Sequence, residues 1–188
     1  LSTVDHVVPQ LNILNPPLWE FGHLTWFHEF WVHRAGQVNQ PSLLKNADYL
    51  FNSSEIAHDD RWSAAIPCLD KLLDYNQNVM EKTQQLLQTP VDNKTAYFTQ
   101  LAIFHQDMHN EAFAYMWQTM AYPMPFLPFI NAHQPPELAQ NWIHFPQSAI
   151  QAGSDNISGF IFDNEKWAHS IDVPSFDISS KPITNADY

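Results

Sequence analysis

Aromatic side chains recur near the start of the chain at the spacing of one helix face. Trp19, His23, Trp26, Phe27 and Phe30 stand at i−4, i, i+3, i+4 and i+7 around His23, the period of an amphipathic helix. Asn15-Pro16-Pro17 precede them, a good N-cap followed by proline where the first turn tolerates it. The pattern predicts a helix from there to about Arg34, with Gly36 as its stop. A second helix is predicted over about 67–88. Cys68, Leu69, Leu72, Leu73, Val79, Leu86 and Leu87 form its apolar side, Cys68 is read as a core residue, and Pro90 closes it. A third runs from a cap at Asp92 to about Met120, with Phe98, Leu101, His105, Met108, His109, Ala112 and Met116 on one face. The polar stretch 37–66 reads as a connector, with a short helix near 42–51.

The pattern changes after Tyr122. Two of the four glycines and eight of the fourteen prolines follow it. Tyr122-Pro-Met-Pro-Phe-Leu-Pro-Phe cannot be helical, because alternate prolines remove donors and clash with the preceding turn. Residues 148–152, 159–162 and 169–178 read as short strands, too few to close a sheet domain. The expected organisation is a mainly α helical domain over 1–121, a Pro-rich linker over 122–146, and over 147–188 the beginning of a second domain.

Charge narrows the partners. Eight Lys and Arg stand against twenty Asp and Glu, for a net charge of −12. With Arg34 and Arg61 the only arginines, nucleic acid and anionic membranes are poor partners. No apolar run reaches the ~18 residues of a spanning helix, and no signal peptide is read at the first residue. Cys68 is the single cysteine, which excludes an internal disulfide and fits a reducing, cytoplasmic setting.

Ten histidines direct attention to metal chemistry. His105 and His109 are four apart on the third helix. Four residues turn an α-helix by about 400°, so the two imidazoles lie about 40° apart and can converge on one ion. The metalloprotease form of this motif needs Glu after the first His; Gln106 stands there, so zincin hydrolysis is not expected. A third ligand must come from another helix, and His23, on a stripe that faces the core, is the candidate. Three imidazoles with open positions suit Fe(II), Zn(II), Cu(II) or Ni(II). The competing reading is a satisfied core His23 and a chance pair at 105 and 109.

The remaining candidates read more plainly. His28 and His33 follow His23 at five-residue spacing, about 140° of rotation each on an α-helix, so the three cannot share a metal. His58, His133, His144 and His169 fall in predicted loops, with surface or structural roles. Asp107 and Glu111 point to other helix faces as solvated carboxylates. Arg61, in Asp59-Asp60-Arg61-Trp62, is a candidate for binding a carboxylate substrate, or else a local ion pair.

Two motifs together carry a family resemblance. Asn15-Pro-Pro-Leu-Trp-Glu-Phe-Gly-His23-Leu-Thr-Trp-Phe resembles the first metal motif of the ergothioneine-biosynthesis sulfoxide synthases, and His105-Gln-Asp-Met-His109-Asn-Glu111 resembles their second. The resemblance implies a DinB-like four-helix bundle in which His23, His105 and His109 hold a non-haem Fe(II), which purification can replace by Ni or Zn. Gly159-Phe-Ile-Phe-Asp-Asn-Glu165, His169 and Lys181-Pro-Ile-Thr-Asn-Ala-Asp-Tyr188 resemble the opening of the formylglycine-generating-enzyme-like (sulfatase-modifying factor) domain that follows the bundle in these enzymes. The fold class expected is thus mainly α, the bundle followed by an incomplete α+β segment.

The implied activity is O2-dependent formation of a C–S bond between a trimethylated histidine (hercynine) and a cysteine-type thiol. Asn52-Ser-Ser-Glu-Ile-Ala-His58-Asp-Asp-Arg61-Trp62 is more similar to the selenoneine-synthase-like branch, so a selenium donor is an alternative. A metal-dependent thiol transferase or hydrolase, or a non-catalytic metal-binding module, are rivals from other classes. The family's catalytic tyrosine and most of its pocket belong to the second domain beyond this sequence, so these residues alone are expected to be inactive. Met108 stands where the family often has glutamine. A family helix that has no counterpart here is expected to leave an apolar groove beside Trp26, Phe30 and Leu72.

Overall fold

The computed structural model describes residues 7–123, 139–155, 159–184 and 187–188. Two compact units divide the chain, Leu1–Met124 and Pro125–Tyr188, and the chain is mainly α. The first unit holds α1 (Pro17–His28), which passes into a π-helical turn (Glu29–His33), then α2 (Ala47–Phe51), a 3-10 turn (Asp59–Trp62), α3 (Leu69–Leu86) and α4 (Asn93–Thr119). No helix among the described residues is long and apolar enough to cross a membrane.

The aromatic stripe puts α1 at the centre, where it packs against α2, α3 and α4. Trp19, Trp26 and Phe30 are buried and meet Phe51 from α2 and Leu72 and Val79 from α3. Each such side chain contributes about 1.5–3 kcal/mol by leaving water. The groove expected beside Trp26, Phe30 and Leu72 is therefore absent: their exposures are 4%, 8% and 0%. The short α2 and its connector close over that face. Gly22 lets α2 approach; a Cβ there would lie 2.3 Å from the Phe51 ring.

Two acids, the buried Glu29 and the partly exposed Asp48, anchor the connector to the helices. Glu29 accepts from Ser42 Oγ at 2.5 Å and Leu43 N at 2.7 Å, and from the Tyr75 hydroxyl. Burial and the adjacent carboxylate hold that hydroxyl well above its ordinary pKa. Asp48 receives both terminal nitrogens of Arg34 and Trp26 Nε1, each at 2.7 Å. Gly36, at φ +77°, ends the helix: its N–H reaches back to Phe30 O at 2.9 Å. The left-handed conformation and the Trp31 ring, 2.9 Å from where a Cβ would stand, both favour glycine.

Several local expectations change. Asn15 is not the cap of α1; Pro16 is, and the Asn15 amide is spent on Arg61 and Glu20. Cys68 is exposed at the N-cap of α3 instead of lying in the core. The buried line of α3 is Leu72, Tyr75, Val79 and Thr83, at steps of three and four. Leu73 and Leu87 fall off that line and face solvent. Asp92 caps α4 as the sequence suggests, accepting from Thr95 N at 2.7 Å. Met108 is half exposed.

The second unit has four short strands in two antiparallel pairs. β1 (Trp142–Phe145) pairs with β4 (Phe176–Ser179), and β2 (Ser148–Ala152) with β3 (His169–Val173). Cross-strand apolar pairs set the registers: Ile150 opposite Ile171, and Phe145 stacked on Phe176 with ring centroids 5.1 Å apart. β1 falls inside the stretch read as linker, and His144 lies on it, not in a loop, bonded to Asp177 at 2.9 Å. Residues 159–162 form no strand; they lead into a 3-10 turn at Asp163–Glu165. The single strand expected over 169–178 is two strands, because Pro174 has no N–H to continue a ladder. Residues 124–138 of the expected linker, His133 among them, lie outside the described residues.

Candidate metal centre

His23 enters the core on α1 between neighbouring rings. Trp19 stacks on it at 4.9 Å with planes 8° apart, and Trp26 follows at 5.9 Å. The imidazole is 4% exposed. Its Nδ1–H donates to Phe51 O at 2.7 Å, the carbonyl at the end of α2. That bond fixes the tautomer and leaves the Nε2 lone pair bare.

α4 brings the other two. His105 and His109, one turn apart, hold their ring centroids 4.4 Å from each other. His105 Nε2 lies 3.3 Å from His23 Nε2 and 3.1 Å from His109 Nε2. His109 Nδ1–H donates to Glu20 Oε1 at 2.5 Å, so its Nε2 lone pair is bare as well. Phe27 lies flat against His105. Among the described residues these three form the group of His, Cys, Asp or Glu able to surround one ion, their ligand atoms all within 4.8 Å.

The arrangement is unfavourable without a cation. Two of the three facing nitrogens are fixed as acceptors, and a single N–H on His105 can serve only one of them at a time. Protonating His23 or His105 is no remedy: burial holds His23 down at about 4, and burial together with its two histidine neighbours holds His105 at about 2. Three neutral ligands at metal–nitrogen distances of about 2.0–2.1 Å sit about 2.8 to 3.4 Å from one another across octahedral and tetrahedral geometry. The two separations fall in that range, and the donor set suits the first-row dications named above.

Arg61 stands in the 3-10 turn beside this group. Its Cζ lies 4.0 Å over the Trp19 ring, and Nη1 donates to Asn15 Oδ1 at 2.7 Å. It pairs with Asn15, and among the described residues no ion pair joins it to its aspartate neighbours. Asp107 and Glu111 are exposed, as expected of solvated carboxylates. His58 Nε2 is engaged with Leu14 O at 2.8 Å, and His169 Nδ1 with Trp167 O at 2.9 Å.

His28 and His33 correct the helical arithmetic. The turn Glu29–His33 is π-helical, closed by Arg34 N to Glu29 O at 3.1 Å, so five residues make about one turn instead of overshooting it. Both Nε2 atoms reach the Thr83 hydroxyl, at 2.9 and 2.8 Å. They form a structural tie to α3, separate from His23.

Sequence reasoning missed Glu20, Asn15, Phe27 and the Phe51 carbonyl as parts of the site. One signal was present: Glu20 is an acid three residues before His23, on the same side of an otherwise aromatic helix.

No family model matches the chain. It is similar to proteins named hercynine oxygenase from Mycolicibacterium smegmatis (25% identical over 183 residues), Mycobacterium tuberculosis (24% over 185) and Mycolicibacterium thermoresistibile (24% over 184). Each match covers 94% of this chain but 42%, 42% and 40% of the relative. The chain thus spans about two-fifths of the length of the curated relatives it matches.

Proposed function

We propose, from the premise that this chain belongs to the sulfoxide synthase family of ergothioneine biosynthesis, that His23, His105 and His109 hold a non-haem Fe(II) for O2-dependent C–S bond formation on hercynine. The observation that carries the reading is the convergence of three Nε2 atoms, two of them stripped of their proton by bonds from Nδ1 to Phe51 O and Glu20. In this reading the first unit is the DinB-like bundle and the second opens the formylglycine-generating-enzyme-like domain.

The reaction balances as a four-electron oxidation. A ring C–H of hercynine and the S–H of the donor break, C–S and S–O bonds form, and O2 is reduced, one oxygen going to sulfur and one to water. Iron held by these histidines would pass the substrates' electrons to O2 and bring the reactants together, replacing a termolecular encounter by an ordered one. The part of this chain is geometric. Phe51 O and Glu20 orient two imidazoles, and the Trp19 and Phe27 rings wall the ligands from water. Arg61 remains the candidate in this chain for a substrate carboxylate, and the family resemblance assigns proton donation and most of the pocket to the second domain.

Anaerobic Fe(II) titration of the full-length polypeptide tests the metal. One equivalent bound, lost in His23→Ala and His105→Ala, is expected; binding that survives both substitutions overturns the site. Oxygen consumption with hercynine and a cysteine-type thiol then tests the chemistry. Turnover with a selenium donor and none with the thiol would favour the selenoneine-type alternative suggested by 52–62.

A further inference from the structure

Glu20 is a buried acid whose two oxygens are both committed. It is 3% exposed; Oε1 accepts from His109 Nδ1–H and Oε2 from Asn15 Nδ2 at 2.7 Å. Among the described residues the one titratable side chain hydrogen-bonded to it is His109. A carboxylate this deep is costly unless positive charge lies nearby; the Arg61 guanidinium is one such charge, and a dication on His109 Nε2 would be a second.

The next link settles which way Asn15 points. Arg61 Nη1 can only donate, so the Asn15 atom facing it at 2.7 Å must be the amide oxygen. The amide nitrogen is then turned to Glu20. The same guanidinium lies over Trp19, whose indole stacks on His23. Arg61 therefore reaches two of the three histidines, one through Trp19 and one through Asn15 and Glu20.

We infer that Glu20, Asn15 and Arg61 form a relay of positioning residues that orients His109 and supplies the negative charge that retains the metal. The inference rests on the metal reading above. Its geometry stands on hydrogen bonds and on the forced orientation of one amide. Partners bonded to a ligand's far nitrogen typically alter metal affinity by about 10–100-fold.

Co(II) binding to the full-length polypeptide, measured by chelator competition and by paramagnetic NMR of exchangeable imidazole protons, tests the relay. Glu20→Gln keeps the shape and an acceptor but removes the charge; roughly 10-fold weaker Co(II) binding is expected. Arg61→Met should weaken binding and change the shift or exchange of the His109 Nδ1–H signal, while Arg61→Lys restores part of it. A merely structural role would leave that signal in place in every variant that folds. If Glu20→Ala does not fold, the isosteric Glu20→Gln decides. Wild-type affinity and an unmoved signal in Glu20→Gln and Arg61→Met overturn the relay. Wild-type protein that binds no Co(II) overturns the metal centre itself, a different failure.

Discussion

Phe27 lies face to face on His105, with ring centroids 3.6 Å apart and planes 10° from parallel. The contact joins α1 to α4 at the one histidine of the cluster whose Nδ1 has no hydrogen-bond partner among the described residues. His23 and His109 are oriented by hydrogen bonds; His105 is oriented by a ring. Phe27→Leu keeps the apolar volume but loses the flat face, worth about 0.5–1.5 kcal/mol in an aromatic pair. Metal affinity should fall by about 2- to 10-fold with little change in melting temperature. Chelator competition reads the affinity, and an unchanged value means the ring only fills space.

Acid should weaken the metal-free fold. In the unfolded chain His23 titrates near its ordinary value of 6.5; in the fold, burial holds it at about 4. Between those values the unfolded state binds more protons, so stability is full above about pH 6.5 and declines as pH falls toward 4. His28, held at about 4 by burial and by His33, acts in the same direction. The loss from His23 alone is on the order of 3 kcal/mol. Urea midpoints of metal-free protein at pH 7 and pH 4.5 measure it; equal midpoints would contradict the neutral buried imidazole.

Gly22→Ala should damage both the core and the site. The added methyl would sit 2.3 Å from Phe51 Cε1, and Phe51 is fully buried. Overpacking of this kind costs about 1–3 kcal/mol. Because Phe51 O also holds His23 Nδ1, metal affinity should fall together with the denaturation midpoint. A variant as stable as the parent would show that α2 is free to shift.

Thr83→Val removes the hydroxyl that His28 and His33 share while keeping the branched shape. Thr83 is buried, and its own proton goes to Val79 O at 2.9 Å. Taking this shared acceptor from two half-buried imidazoles should cost about 1–3 kcal/mol. Metal binding should survive, since the tie lies apart from His23. Thermal melting of the loaded and metal-free variant separates the two effects.

The three long helices were legible because each has a stripe of apolar residues at steps of three and four, and Asp92 was legible as a cap because nothing competes for its carboxylate. The meeting of His23, His105 and His109 could be anticipated from i, i+4 spacing on one helix and one histidine on the buried face of another. What the sequence hid is where a polar side chain finds its partner. Asn15 has the composition of a cap, but Arg61, forty-six residues on, claims its oxygen. Cys68 has apolar neighbours, yet it sits just ahead of the first turn, where no helix face is turned inward. His144 lacked a strand signal because its pairing partner, Asp177, is thirty-three residues away. The π-helical turn was invisible to any reading that advances 100° per residue.

That turn also constrains how relatives of this chain can differ in length. Between Glu29 and His33 the helix accommodates one more residue than an α-turn holds. Such a turn is an insertion absorbed without a loop. Deleting one residue there would let ordinary α-helical bonding run through, and because four α-helical residues turn about as far as five π-helical ones, Arg34 beyond the turn would still face Asp48. The helix before the turn would keep Trp19, His23 and Phe27 where they are. A relative one residue shorter here would thus keep both the histidine cluster and the Arg34–Asp48 anchor of the connector. In an alignment its gap belongs between Glu29 and His33, and a gapless alignment would mispair every position from there to Gly36.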